Sequence, residues 1–244
     1  ILKVEKLGKY GYYLEHLNII LGCYKKITSF DTYKSLNTII SYHLVNMSMK
    51  YKNCHADLLP YVNMKWSADQ AAIIYSIWLY DQNYNTSLSS EIINKWTSYM
   101  ENYGTDKNTG LYKTEVLGTR KYSNHPRGCA MAYLLHYMGK FNPNLSKSKW
   151  ILYKKHMKKS LFGLTGFREY LESYKGGWTP DSGPIIKGIG VAASGLAMNT
   201  ASTIGDNKTF KDLDKSISRL TNSFNTFESF IGSTPLTKIG TDML

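Results

Sequence analysis

Residues 67–83 read SADQAAIIYSIWLYDQN, and this stretch decides the fold more than any other. Ala71, Ala72, Ile73, Ile74, Ile77, Trp78 and Leu79 fall on several sides of a helical wheel, which predicts a helix buried nearly all round. Ser67, with Gln70 three residues on, reads as a capping box at its start, and Asp81-Gln82-Asn83 reads as its end. Upstream, Tyr13, Leu17, Ile20, Leu21 and Tyr24 mark a helix over 10–27. Asp31 is set to cap a second helix whose buried stripe is Leu36, Ile39, Ile40, Leu44 and Met47.

Downstream, a more polar helix is predicted over 88–103 and a short extended edge over 111–116. An apolar helix over 126–139 follows, with Gly139 as its left-handed cap, and then a lysine-bearing helix over 145–160. A glycine-rich loop holding the segment 167–173 leads to a seventh helix, which starts at Pro184, a residue favoured at the first helical position, and runs to Ile204. The eighth covers 207–224. Helices one, three, five and seven are apolar nearly all round, whereas two, four, six and eight keep a polar face. Inner and outer rings of antiparallel helix pairs would produce that contrast. The expectation is an all-α chain, an α/α-toroid over residues 1–225 with a C-terminal tail over 226–244. Four pairs are fewer than a closed ring uses, so the ring is expected to be incomplete. An irregular helical bundle is the plainer alternative.

The chain has 244 residues and a net charge of +12. Lys147, Lys149, Lys154, Lys155, Lys158 and Lys159 share one amphipathic segment, which reads as a solvated outer helix; nucleic acid is not the favoured partner. No apolar run is long enough for a membrane span, and no signal-peptide pattern opens the chain. Ile1 in place of Met suggests a start inside a longer product. Compartment and oligomeric state stay open. Cys23, Cys54 and Cys129 make neither a disulfide framework nor a metal pair. Cys54, His55 and Asp57 could ligate by type but lack a second cluster, so no metal is expected. Gly188-Ile189-Gly190 departs from a dinucleotide loop and is read as helical packing.

In a helical ring the loops into the inner helices surround the pocket, and the polar residues collect there. Asp69, in the first turn of helix three, is the leading catalytic candidate; plain helix-start stabilisation explains it as well. The helix dipole would lower its pKa and desolvation would raise it. Substitution by Asn is expected to abolish turnover at a surface-like stability cost of about 1 kcal/mol. His16 is a second candidate, because an imidazole suits proton transfer, against a hydrogen-bonded core histidine. Asp181 is a third, against a cap for helix seven. Glu15, Arg127 and the aromatic Tyr12, Trp66 and Trp178 are candidate substrate contacts; Arg127 pairs equally well with a core carboxylate. Asp69 and Asp181 facing each other would match the separated carboxylates of glycoside hydrolysis.

His16-Leu17-Asn18 followed by Gly22, Tyr24 and Thr28 resembles a stretch of bacterial linalool dehydratase-isomerase. Trp78-Leu79-Tyr80-Asp81, Pro143, Gly188, Ala193-Ser194 and Gly205-Asp206 are similar too, in one order across residues 12–206. The resemblance implies the α/α-toroid fold and cofactor-free lyase or isomerase chemistry. The family's pocket histidine matches His16. One family cysteine falls on Asp69 and the other near Pro60, so the thiols are not kept. The family's further Asp and Tyr belong to a segment before Ile1. The functional expectation is an acid–base enzyme acting on a small molecule. A carbohydrate-active enzyme with a glycan substrate and a non-catalytic binding module are the alternatives.

Overall fold

The computed structural model describes residues 9–60, 65–116 and 125–231, with side chains through 221. The chain is mostly helical but not all-α: two small antiparallel sheets correct that expectation. Helices α1 (Gly11–Thr28), α3 (Ser67–Tyr84), α5 (Gly128–Phe141) and α7 (Val191–Ile204) pack side by side in that order. Each carries its successor on its back: α2 (Lys34–Met49), α4 (Leu88–Tyr99), α6 (Pro143–Met157) and α8 (Asn207–Ile231). The chain therefore lays down four helical hairpins whose odd members form one row.

Helix α3 is the spine of this row, as its sequence requires. Ala71, Ala72, Ile73, Ile74 and Ile77 are wholly buried between α1, α5 and the outer α2 and α4. A polar knot ties the first three helices. Asn18 donates to Ser41 and Ser76 at 3.0 and 3.1 Å, and Asn37 donates back to the Asn18 carbonyl at 2.6 Å. At the C-terminal end of α3, Asp81 accepts from the amides of Leu88 and Ser89 at 2.9 and 2.8 Å, closing the turn into α4.

Several predicted caps fall elsewhere. Ser67 is the first helical residue and caps nothing, while Gln70 accepts from the Ala56 amide and donates to Ser48. Asp31 pairs with Lys25 at 2.9 Å, and α2 begins after Tyr33 without a side-chain cap. Helix α5 runs through Gly139 to Phe141, and the Asn142 side chain then caps α6 by accepting from the Leu145 amide.

The largest departure lies after α6. The lysine-bearing helix stops at Met157, and residues 158–190 build a four-stranded sheet. Its strands are β3 (Lys158–Leu161), β4 (Leu164–Arg168), β5 (Ile185–Ile186) and β6 (Ile189–Gly190), in the order β3-β4-β6-β5 and antiparallel throughout. Both hairpins turn on two residues of positive φ, Phe162-Gly163 (49° and 73°) and Lys187-Gly188 (50° and 86°). That geometry suits the right-handed twist of the strands. Gly188-Ile189-Gly190 is thus a turn and strand, and Pro184 precedes β5 instead of opening α7. Trp150, Tyr153 and Phe167 stack where this sheet meets α6; the Tyr153 and Phe167 rings lie 4.8 Å apart.

A second sheet pairs β1 (Lys65–Trp66) with β2 (Glu115–Val116), so only the end of the expected edge is strand. It sets the start of α3, whose Ser67 amide bonds the Thr114 carbonyl at 3.1 Å. Helix α8 continues to Ile231; the rest of the expected tail lies outside the described residues. Among the described residues, no helix is long and apolar enough to cross a membrane.

Candidate active site

The starts of α1, α3 and α5 share one end of the row and gather the polar residues singled out by sequence. On α1, Glu15 is completely buried. Neither of its carboxylate oxygens has a hydrogen-bond donor among the described residues. Burial, and then the charge of Asp69, push the Glu15 carboxyl well above the ordinary carboxylate range. Its Oε1 lies 3.4 Å from His16 Nδ1. That nitrogen instead donates to the Tyr12 carbonyl at 2.8 Å, leaving Nε2 to accept from the Tyr133 hydroxyl at 3.3 Å. The Tyr12 ring, half exposed, leans on His16 with centroids 4.9 Å apart.

Asp69 lies in the first turn of α3. Burial raises its carboxyl from 3.8 to about 7; its own backbone amide pulls down, and the charge of Asp181 adds to the rise. Of the two opposing effects weighed from sequence, desolvation prevails over the helix start. Asp69 is also within electrostatic reach of Glu15, Tyr12, Tyr133 and Tyr137, so it stands between the α1–α5 group and the loop that carries Asp181.

A second constellation surrounds Arg127, the residue before α5. Its Nε donates to Glu169 at 2.9 Å, Nη1 to Asp181 at 2.9 Å and Nη2 to Thr179 at 2.7 Å. Arg127 therefore holds two carboxylates of its own chain, the pairing left open by sequence. Buried Glu169 also accepts from the Cys129 amide at 3.2 Å and thiol at 3.1 Å. Burial keeps Glu169 raised despite these donors, and burial followed by the Glu169 charge pushes the Cys129 thiol up, so it is no thiolate at neutral pH. Asp181 takes the opposite course. Burial pushes it up, but hydrogen bonds from Thr179 and Arg127 outweigh that and hold it below the usual carboxylate range.

Backbone geometry locks this constellation. Gly128 donates to the Glu169 carbonyl at 2.8 Å, and its own carbonyl accepts from Tyr153 at 2.9 Å. A Cβ at Gly128 would sit 1.9 Å from the Arg168 carbonyl oxygen, so only glycine lets α5 start this close to β4.

The expected residues thus separate into groups. Tyr12, Glu15, His16 and Asp69 come together, and Arg127 and Asp181 adjoin them as an ion pair. Asp181 caps no helix, because α7 starts at Val191. Trp178 is 65% exposed and forms no wall over Asp181's buried neighbours, while Trp66 packs partly buried against the core. Sequence reading missed Glu169 and Tyr133. Tyr133 could have been found, since it follows Cys129 by four residues and so shares its face of α5. Glu169 carried no such signal, because it directly follows β4, a strand that was read as part of a loop. Among the described residues, no three His, Cys, Asp or Glu side chains are grouped to hold a metal. No family model matches this chain, and no curated protein matches it.

Proposed function

We propose that the chain is an arc of an α/α-toroid and an acid–base enzyme of the linalool dehydratase-isomerase-like kind, acting as a lyase or isomerase on a small molecule. The observation that carries the reading is the opposed behaviour of two neighbouring carboxyls, Asp69 raised to about 7 and Asp181 held low by Arg127 and Thr179. Carboxyls driven apart in this way divide into a proton carrier and a fixed anion. Near neutral pH Asp69 is present in both forms. In water loss its acid form protonates the leaving hydroxyl, which departs as water, and the resulting carboxylate takes the proton from the adjacent carbon; in a double-bond shift the carboxylate takes a proton from one carbon and its acid form returns it to another. Burial opposes ionisation of the neighbouring Glu15 as well, so it disfavours a second negative charge beside Asp69. Tyr133 and His16 offer a hydroxyl and an imidazole at hydrogen-bond distance, which can orient the substrate oxygen. The side-by-side row α1, α3, α5, α7, each backed by an outer helix, supports the toroid arc.

The same opposed carboxyls favour a second reading, a carbohydrate-active enzyme with Asp69 as acid and Asp181 as base. One experiment separates the two. Wild type and Asp69→Asn are incubated with a panel of tertiary and allylic alcohols, followed by gas chromatography with mass detection, and with a panel of nitrophenyl glycosides. Alkene formation or isomerisation that drops about 10²–10⁴-fold in Asp69→Asn supports the first reading. Glycoside cleavage with the same loss supports the second. Undiminished turnover by Asp69→Asn removes both.

A further inference from the structure

Helix α1 ends the row: among the described residues, the helices packed against it are chiefly α3 and α2. Its Asn18 and Gly22 face α3, where Asn18 bonds Ser76 at 3.1 Å and a Cβ on Gly22 would strike the Leu79 side chain. At about 100° per residue, Tyr13, Ile20 and Ile27 lie roughly 180–220° around the helix from Asn18, on the edge turned away from α3. These three side chains are 50, 63 and 82% exposed. Half-buried Leu17 and Tyr24 fall between them and complete a stripe with alternating steps of four and three residues, the period of a coiled-coil seam.

Charge and area bear on what covers this stripe. From Gly11 to Tyr24 the helix carries no Lys, Arg or Asp, and its one acid, Glu15, is buried. A solvated face of this chain looks different, as Lys147 and Lys155 on the exposed side of α6 show. Uncharged surface bearing tyrosine is the composition of interface centres. The stripe runs on into the turn before α2, where Phe30 is 65% exposed and Tyr33 meets Tyr24 edge-on at 5.0 Å. At about 200 Å² for a whole side chain, the five exposed residues open roughly 600 Å². That is about three quarters of the ~800 Å² each partner of a stable dimer buries.

The stripe is also self-complementary. Ile20 is its centre, with Tyr13 and Ile27 equally far to either side, while Lys25 and Lys26 sit at the C-terminal end alone. Two copies packed antiparallel match Tyr13 ends to Ile27 ends and hold the two lysine pairs about 15–20 Å apart along the axis. Packed parallel, they would set the lysines side by side. We propose that the free edge of α1 is the interface of a twofold dimer of this chain, with α1 antiparallel to α1 of a second copy across Ile20.

The test is light scattering after size-exclusion chromatography. It reads no turnover, so it stands apart from the Asp69 chemistry. Wild type is expected to elute as a dimer at micromolar concentration. Ile20→Lys/Ile27→Lys is expected to weaken association at least about tenfold, with circular dichroism checking its fold. Ile217→Lys/Leu220→Lys, the same charge change at two exposed apolar positions of α8, is expected to stay dimeric. In a Cys23→Ser background, a short bismaleimide is expected to join Tyr13→Cys to Ile27→Cys in a mixture of the two, and neither variant to itself. A monomeric wild type, with the edge taken by another segment of the chain or by a different protein, would overturn the proposal. So would a dimer that survives Ile20→Lys/Ile27→Lys, an equal loss in the α8 variant, or self-joining of Tyr13→Cys.

Discussion

Asp69→Asn should make the protein more stable at alkaline pH, because the native carboxylate is held where it resists ionising. Asn keeps the shape of the side chain and removes the titration. In the unfolded chain the carboxyl ionises near 3.8, and in the folded chain near 7. Between those values the folded state binds the extra proton, so stability is fully present below about pH 3.8 and is lost as pH rises through 7. At about 1.4 kcal/mol per tenfold change in acidity the whole loss is roughly 4 kcal/mol, an upper value because Asp69 is partly open to solvent. Over the accessible window from about pH 5 to 8 the wild type should lose about 2–3 kcal/mol relative to Asp69→Asn. For a chain of this size that is a melting gap widening by about 4–12 °C. Thermal unfolding of both proteins, followed by circular dichroism in half-unit steps, reads the gap directly. Parallel curves across the window would refute the reasoning, and so would a gap that narrows. The outcome also revises the surface-like cost of about 1 kcal/mol expected from sequence, which left the helix dipole and desolvation unweighed against each other.

Three further substitutions probe the scaffold. Arg127→Met strips the cation shared by Glu169 and Asp181 and should cost about 3–5 kcal/mol in urea unfolding; adding Glu169→Gln should restore at least about 1 kcal/mol, because the two sites are coupled. Gly128→Ala forces a methyl group into the Arg168 carbonyl and should cost more than about 3 kcal/mol or abolish soluble expression. Asp206 accepts from Lys154, Trp150 and the Thr209 amide, bonds that outweigh its burial and hold its pKa down. Asp206→Asn should therefore cost about 1–3 kcal/mol at pH 7 in chemical unfolding, a deficit that shrinks as pH falls below about 4.

Helix existence was legible because burial leaves a periodic mark on sequence. The all-round apolar pattern of α3 placed it at the centre of the row, and the contrast between odd and even helices matched the observed packing. Caps were less legible, because they depend on what else a side chain can reach. Gln70 had the capping-box spacing, yet a loop amide at Ala56 and the hydroxyl of Ser48 offered it better-buried partners. The sheet over 158–190 went unread for a different reason. Its strands are two to five residues long, too short to show alternation, and its turns use Phe162-Gly163 and Lys187-Gly188 where Asn-Gly or Asp-Gly would have announced a hairpin. Glu169 was lost with it. Asp69 and His16 were readable as helix-start residues facing a common end, but the partner of His16 came from α5, more than a hundred residues later.

Two buried polar residues on one helix separate structural need from chemical need. Asn18 is wholly buried, and α2 and α3 both supply it with partners, so its burial is offset by the hydrogen bonds that tie three helices together. Glu15, three residues earlier, is just as buried and has no donor among the described residues. A carboxyl left without a donor costs free energy that an aliphatic side chain would not. It lies beside Asp69, whose own ionisation is already opposed by burial and by Asp181. Arg127 pairs with Glu169 and Asp181, whereas the charge of Asp69 falls on buried Glu15, an arrangement that burial already disfavours. The apolar core that holds Leu14, Leu21, Ile73 and Ile77 needs none of these charges. The proposed proton transfer at the end of the row would account for the cost, since a carboxyl reluctant to ionise is useful there.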